Sequence, residues 1–227
     1  MIKATFLGHS CFLFEFGSHR VLVDPFVTGN PVCPVKADTL SPTAILVSHG
    51  HGDHLGDAIP ISKRTGAQII AGYELASFCG SQGAKVHGMG IGGGHDFDFG
   101  RVKLIPAWHG GALESNGQAA YGGTPSGFVI NMGGKSIYHA GDTGLFGDME
   151  LIARLHKPDL ACLPIGDNYT MGPDDAVEAV RMIKPGKVVP MHYNTFELIR
   201  QDAEAFSRRV ERLSECVVLQ PGESFEL

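Results

Sequence analysis

The sequence predicts an α/β fold in which two β-sheets pack face to face and helices cover the outside. Short segments rich in β-branched and aromatic residues occur together with a few amphipathic segments in each half of the chain. A composition of 43% hydrophobic and 19% charged residues is typical of a globular protein, and 227 residues can enclose a large core. No linker divides the halves, so we expect one domain over residues 1–227.

In the first half, strand composition is interrupted by Gly-His-Ser and Gly-Ser-His turns. The predicted strands are 2–7, 11–16, 20–24, 45–47, 68–71, 97–99 and 101–107, and the last two form a hairpin around Gly100. The predicted helices are 57–64 and 74–79, and a proline-containing loop is expected over 28–41.

The second half repeats this pattern. The predicted strands are 128–132, 136–139, 160–164 and 188–191, and the predicted helices are 149–156, 174–184 and 196–214. For helix 174–184, Pro173 lies in the first turn, two acids complement the helix dipole, and Pro185 ends the helix. The last helix is predicted because apolar residues recur at helical spacing: Ile199, Ala203, Phe206, Val210 and Leu213.

Charge and cysteine usage exclude several classes of partner. The net charge is −6 and no basic stripe is present, so we expect no nucleic-acid partner. No apolar run approaches the roughly 20 residues needed to span a bilayer, so no membrane insertion is expected. Residues 1–7 predict a strand and not a signal peptide, and the five dispersed cysteines indicate reduced thiols in the cytoplasm. A small-molecule substrate is expected, and a homo-oligomer remains possible.

The most informative segment is His49-Gly50-His51-Gly52-Asp53-His54. It follows the buried strand predicted over 45–47, and its glycines allow the backbone to turn tightly. Imidazole and carboxylate groups together suit zinc, iron or manganese. The segment therefore predicts a metal site at the end of this strand.

Four more residues with metal-binding or supporting side chains follow predicted strands. Asp24 ends the strand 20–24, His109 follows 101–107, Asp142 lies in a Gly-Asp-Thr turn after 136–139, and His192 follows 188–191. Five ordered segments of this kind are far more specific than a single one.

In their order and spacing, these segments resemble the signature of the metallo-β-lactamase superfamily over nearly the whole chain. The resemblance implies the metallo-β-lactamase fold, a four-layer αββα sandwich. It also implies that one metal binds three histidines, that a second metal binds an aspartate and two histidines, and that one further aspartate bridges the two. These residues are His49, His51 and His109, then Asp53, His54 and His192, and finally Asp142.

The expected cofactors are therefore two divalent metal ions, with zinc favoured and manganese or iron possible. A metal-bound hydroxide is the expected nucleophile, because such metals bring the pKa of bound water toward about 7. The expected substrate is an ester, a lactone or a phosphodiester that is small or amphiphilic, since a positive centre stabilises a developing oxyanion. Asp53 is expected to assist as a catalytic residue by orienting water or taking its proton.

Other polar residues have weaker indications. Asp24 is expected to orient ligands. His139 could take part in catalysis or pack in the core, and Tyr193 could donate to an oxyanion or pack. His9 lies after the first predicted strand and is a candidate for substrate contact. The polar, glycine-rich segment 110–127, which includes Ser115 and Asn116, is expected to be a lid or a plain surface loop.

Three strings resemble a particular branch of the superfamily, the bacterial metal-dependent hydrolases of unassigned substrate. They are Leu7-Gly8-His9-Ser10, the segment 139–144 and the segment 191–196. This branch is similar to the ascorbate-phosphate lactonases and to N-acyl-phosphatidylethanolamine phospholipase D. The alternatives are a mononuclear iron persulfide dioxygenase and a phosphodiesterase that acts on nucleotides or nucleic acid.

Overall fold

Two seven-stranded sheets form the centre of the molecule in the computed structural model, which describes residues 1–115 and 118–227. In chain order the strands are β1 (Lys3–Phe6), β2 (Phe12–Phe16), β3 (His19–Val23), β4 (Ala44–Val47), β5 (Gln68–Gly72), β6 (Val86–Met89), β7 (Gly94–Phe97), β8 (Gly100–Pro106), β9 (Ala112–Ser115), β10 (Gln118–Tyr121), β11 (Ser126–Met132), β12 (Lys135–His139), β13 (Leu160–Pro164), β14 (Lys187–Met191), β15 (Glu215–Cys216) and β16 (Ser224–Glu226).

The α-helices lie first in connections between strands of the first sheet and then in connections between strands of the second. They are α1 (Gly52–Leu55), α2 (Ala58–Thr65), α3 (Tyr73–Ser81), α4 (Met149–His156), α5 (Pro173–Ile183) and α6 (Ala203–Val210). Within the described ranges, none of the helices combines the length and the apolar character needed to cross a membrane.

Each sheet joins an antiparallel part to a parallel part. The first sheet has the order β16-β1-β2-β3-β4-β5-β6, and β3 to β6 are parallel. The second has the order β15-β14-β13-β12-β11-β8-β7, and β12 to β15 are parallel. Because parallel strands end at the same edge of a sheet, loops that follow them lie side by side.

The main hydrophobic core lies between the two sheets. Phe12, Phe14 and Leu46 from the first sheet belong to the same buried cluster as Leu104 and Phe128 from the second. A second cluster lies between the outer face of the first sheet and α2 and α3. Strands β4 and β13 are buried along their whole length, which explains their uninterrupted apolar sequence. The predicted α/β arrangement of two packed sheets with helices is confirmed.

The predicted hairpin around Gly100 has a different turn. Phe97 pairs with Gly100, so Asp98 and Phe99 form the turn and Gly100 is the first residue of β8. A Cβ atom at Gly100 would lie 2.0 Å from the carbonyl oxygen of Asn131 in the neighbouring strand. The glycine is therefore required both by the close approach of the neighbouring strand and by its own φ of 138°.

The predicted helix over 196–214 is wrong, because only Ala203–Val210 is helical. A short 3-10 turn covers Glu197–Ile199, and the backbone amide of Gln201 donates to the side chain of Asn194 instead of continuing a helix. The Asp202 carboxylate then accepts from the Ala205 amide at 2.9 Å and starts α6. Apolar spacing alone did not reveal this helix cap.

Removal of this cap is expected to weaken the attachment of α6. Asp202→Ala should lower the free energy of unfolding by about 1 kcal/mol, because the Ala205 amide loses its acceptor. In a chain of this size that corresponds to a fall of roughly 2–4 °C in the melting temperature. Asp202→Asn retains an oxygen acceptor and should melt close to the wild type. Equal losses in the two variants would show that the cap is unimportant.

Candidate metal centre

The candidate ligands lie in loops that follow strands from both sheets. His49 and His51 follow β4, and α1 then carries Asp53 and His54 on the same loop. His109, Asp142 and His192 follow β8, β12 and β14 of the second sheet. The sheets place the ends of these strands at a common edge, so side chains distant in sequence converge there.

Three imidazole nitrogens form the first set of donor atoms. His49 Nε2 lies 2.9 Å from His51 Nδ1, which in turn lies 3.2 Å from His109 Nε2. His49 is buried, whereas His51 and His109 are half-buried. Three neutral imidazoles with one side open to solvent match a site for zinc or a similar divalent metal.

Asp142 connects this set to a second group of donors. Its Oδ2 atom lies 3.6 Å from His109 Nε2 and 3.0 Å from His192 Nε2, and its Oδ1 lies 3.1 Å from His54 Nε2. Asp53 Oδ2 lies 3.9 Å from His192 Nε2. Asp142 therefore lies between the two groups of candidate ligands, where the family resemblance implies a bridging carboxylate.

Buried atoms without hydrogen bonds show that these residues fit a metal. Within the described part of the chain, His54 Nε2, Asp142 Oδ1 and both ring nitrogens of His192 make no hydrogen bond of good geometry, although His54 Nε2 and His192 Nε2 lie 3.1 Å and 3.0 Å from oxygens of Asp142. Buried polar atoms normally have a partner, because desolvation without one is costly. A divalent cation would supply that partner for His54, Asp142 and His192 together.

Asp24 aligns one ligand from each group. Its Oδ1 accepts from the Ser48 amide at 2.7 Å, and its Oδ2 accepts from Ser48 Oγ at 2.7 Å and from His54 Nδ1 at 2.8 Å. Ser48 Oγ also lies 3.0 Å from His49 Nδ1, from which it can accept. The Nδ1 atoms of His49 and His54 are thereby engaged, which leaves both Nε2 atoms for metal.

Comparisons with known proteins agree with this geometry. The β-lactamase superfamily domain matches residues 19–193. A UPF0173 metal-dependent hydrolase of Heliobacterium modesticaldum is 57% identical, covering 100% of this chain and 98% of its own. One from Pelotomaculum thermopropionicum is 55% identical, with 100% of both covered. The chain belongs to the UPF0173 family of the β-lactamase superfamily.

A solved structure is also similar to this chain. Igni18, a metallo hydrolase from the hyperthermophilic archaeon Ignicoccus hospitalis, is 36% identical with a TM-score of 0.90, and 100% of this chain and 99% of that chain are covered. The expected membership of the metallo-β-lactamase superfamily and its fold are therefore confirmed.

The carboxylates and imidazoles of this UPF0173 protein shift one another's pKa. Burial alone would raise the pKa of Asp142, but His54 and His192 lower it more, so the carboxyl stays ionised. Burial lowers the pKa of His54, yet Asp142 and Asp24 together raise it well above its ordinary value. Burial holds the pKa of His49 well below its ordinary value, which keeps a neutral imidazole available as a ligand.

Several site residues adopt unusual backbone conformations. His9, Asp24 and His192 have φ values of 59°, 45° and 54°, in the left-handed region that non-glycine residues rarely occupy. Gly141, directly before Asp142, has a φ of 61°, and a Cβ there would lie 2.7 Å from the Ser126 carbonyl oxygen. Such conformations cluster at functional sites, where surrounding contacts hold them in place.

His139 and Tyr193 have environments that favour positioning and packing over the catalytic roles predicted from the sequence. His139 is fully buried, its Nε2–H donates to the Ser10 carbonyl at 2.9 Å, and its Nδ1 accepts from the Gly141 amide at 3.2 Å. It therefore supports the turn that carries Asp142. Tyr193 packs against the main core, and burial raises its pKa to about 12.

His9 is fully buried beside the second group of donors. Its ring lies 3.1 Å from Asp53 Oδ2 and 2.9 Å from Thr195 Oγ1 through its two nitrogens. Burial lowers its pKa to about 4, although the hydrogen bond to Asp53 opposes this shift. This environment favours contact with Asp53 over the predicted contact with substrate. Sequence reasoning missed Thr195, and it missed Ser48, whose only signal was its position before His49.

Part of the predicted polar loop over 110–127 forms a hairpin of β9 and β10. Its Leu113 packs against Gly50, where a Cβ would lie 2.7 Å from the leucine side chain. The hairpin therefore touches the loop that carries His49 and His51. Asn116, which was included in the predicted lid, lies outside the described residues.

Loss of the Asp24 carboxylate is expected to weaken metal binding. Asp24→Asn should raise the dissociation constant about 10- to 100-fold, the usual range for a residue that orients metal ligands. A zinc titration against a competing chelator measures the change. Asp57 is a matched control, because its carboxylate is also buried but accepts from the amides of Val27 and Thr28. An equal loss in Asp57→Asn would refute a specific role for Asp24.

Proposed function

We propose that this protein is a dinuclear metal-dependent hydrolase that cleaves an ester, a lactone or a phosphodiester of a small or amphiphilic substrate. The main support is the position of Asp142, whose two oxygens approach His54, His109 and His192. A single ion would not require one carboxylate to face both donor groups. The relatives named above as metal-dependent hydrolases support the same class of reaction.

In this proposal the two groups of ligands have separate tasks. His49, His51 and His109 would hold one ion, and Asp53, His54 and His192 would hold the other, with Asp142 between the two groups. Two bound metal ions would supply an activated water as nucleophile and a positive charge that polarises a carbonyl or phosphoryl oxygen of the substrate.

Asp53 is the candidate for handling the proton of the attacking water. It is partly exposed, unlike His54 and Asp142, and therefore faces the space that substrate and water can enter. Burial raises its pKa, but the hydrogen bond from His9 and the charge of His54 lower it more, so Asp53 remains ionised and can accept a hydrogen bond that orients the attacking water.

Exposed aromatic residues near the site support an apolar part of the substrate. Trp108 directly precedes His109 and is 71% exposed, although its backbone is held by hydrogen bonds with Thr143 and Gly144. Tyr121, at the end of the hairpin beside the metal loop, is 74% exposed. Exposed aromatic side chains beside a site suit contact with apolar groups of a substrate.

The first expectation concerns metal content. Protein purified without chelator should contain close to two metal ions per chain, because two groups of donors share Asp142. Elemental analysis of the purified protein checks this number. A value that stays at one after zinc or manganese is added would contradict the dinuclear proposal.

The second expectation concerns hydrolysis itself. A screen of esters, lactones and phosphodiesters should reveal activity that chelation abolishes and added metal restores. Asp53→Ala should reduce turnover about 10²- to 10⁴-fold while retaining a cooperative melting curve, because the carboxylate that binds the second metal and orients the attacking water or takes its proton is lost. Asp96→Ala removes the same charge from an exposed site and should leave turnover unchanged.

An iron-dependent dioxygenase would give the opposite pattern. Oxygen consumption with persulfides, one iron per chain and no activity in the hydrolase screen would overturn the proposed function. Full turnover of Asp53→Ala would instead reject the assignment of Asp53 alone.

A further inference from the structure

His9 joins the loops of the two sheets beside the second group of donors. It follows β1 of the first sheet, and its carbonyl oxygen accepts from the His192 amide at 2.7 Å, in the loop after β14 of the second sheet. Its ring also lies against the His192 ring, with centroids 4.0 Å apart. Both ring nitrogens have partners, Asp53 on one side and Thr195 on the other.

The direction of these hydrogen bonds follows from the capacity of each group. An ionised carboxylate only accepts, so the 3.1 Å contact with Asp53 Oδ2 requires a proton on His9 Nε2. With Nε2–H as the donor to Asp53, Nδ1 is the acceptor of a neutral ring. Thr195 Oγ1 then donates to Nδ1 at 2.9 Å, in preference to the Tyr193 carbonyl at 3.5 Å.

We propose that His9 is a positioning residue for Asp53, held as the Nε2–H tautomer by the hydroxyl of Thr195. The hydrogen bond fixes Oδ2 of Asp53 and thereby sets the orientation in which this carboxylate meets the second metal. This role rests on the proposed dinuclear site. The proposal also assigns a function to Thr195. Among the described hydrogen bonds and ion pairs, the Thr195 side chain contacts His9 and the Tyr193 carbonyl but none of the candidate metal ligands.

A different role for the same ring would be direct ligation of the second metal. His9 Nε2 belongs to a group of four donor atoms, with Asp53, His54 and His192, that lie within 4.8 Å of one another. Ligation would require Nε2 to lose its proton and Asp53 Oδ2 to lose its hydrogen bond. Thr195 Oγ1 would then have to accept from Nδ1–H, so the two roles predict opposite tautomers.

Metal titration of Thr195 variants tests the positioning role. Thr195→Val removes the hydroxyl but keeps the branched shape, and it should weaken binding of the second metal about tenfold. Thr195→Ser retains the hydroxyl and should restore wild-type affinity, while the affinity for the first metal should not change in either variant. The melting temperature of the metal-free variants is measured in parallel, to separate this effect from general destabilisation.

Substitution of His9 provides a second comparison. His9→Gln can still donate to Asp53, whereas His9→Leu cannot, and both residues meet the same left-handed backbone. The glutamine variant should therefore bind the second metal more tightly than the leucine variant. Equal affinities would contradict the role of the hydrogen bond.

Nitrogen NMR of the histidine side chains tests the tautomer directly. The proposal predicts a proton on Nε2 of His9 in both the metal-free and the metal-loaded protein. A proton on Nδ1 in the loaded protein would overturn it in favour of ligation. If the wild type binds two metals and Thr195→Val binds the second metal with unchanged affinity, only the role of His9 is overturned. A wild type that binds one metal would overturn the dinuclear function, and this role with it.

Discussion

Asp24 is a fully buried carboxylate whose hydrogen bonds reach both donor groups of the candidate metal centre. A buried charge is costly unless it is fully hydrogen-bonded, and here the Ser48 amide, the Ser48 hydroxyl and His54 provide the donors. Because these donors lie in the loop after β4, the need to satisfy Asp24 fixes the conformation of that loop. The orientations of the His49 and His54 rings then follow from the same network.

The arrangement favours metal binding at the expense of the metal-free state. Several buried atoms of the centre lack hydrogen bonds of good geometry, and His9, Asp24 and His192 adopt left-handed backbone conformations. Both features are unfavourable without an ion. A cation would remove the first, so its binding energy would also contribute to the stability of the folded protein.

The candidate ligands could be named from the sequence because their order resembles the signature of the metallo-β-lactamase superfamily, and because each one comes after a strand with a clear apolar signal. Contacts between distant loops could not be predicted from the sequence. Ser48 and Thr195 belong to no distinctive sequence pattern, and they contribute only because the fold brings Asp24 to Ser48 and His9 to Thr195. The prediction of a helix over 196–214 was wrong for a related reason. Its apolar spacing is real, but the side chains of Asn194 and Asp202 form local hydrogen bonds that stop and restart the backbone.

The contact between His9 and His192 also links the centre to the packing of the whole molecule. One loop belongs to the first sheet and the other to the second, and their backbones are joined by a 2.7 Å hydrogen bond. The distance between the loops is set by the core between the sheets, where Phe12 and Phe128 are fully buried. Protein interiors are closely packed and resist small shifts. The separation of ligands drawn from the two sheets is therefore determined by the core as much as by the loops that carry them.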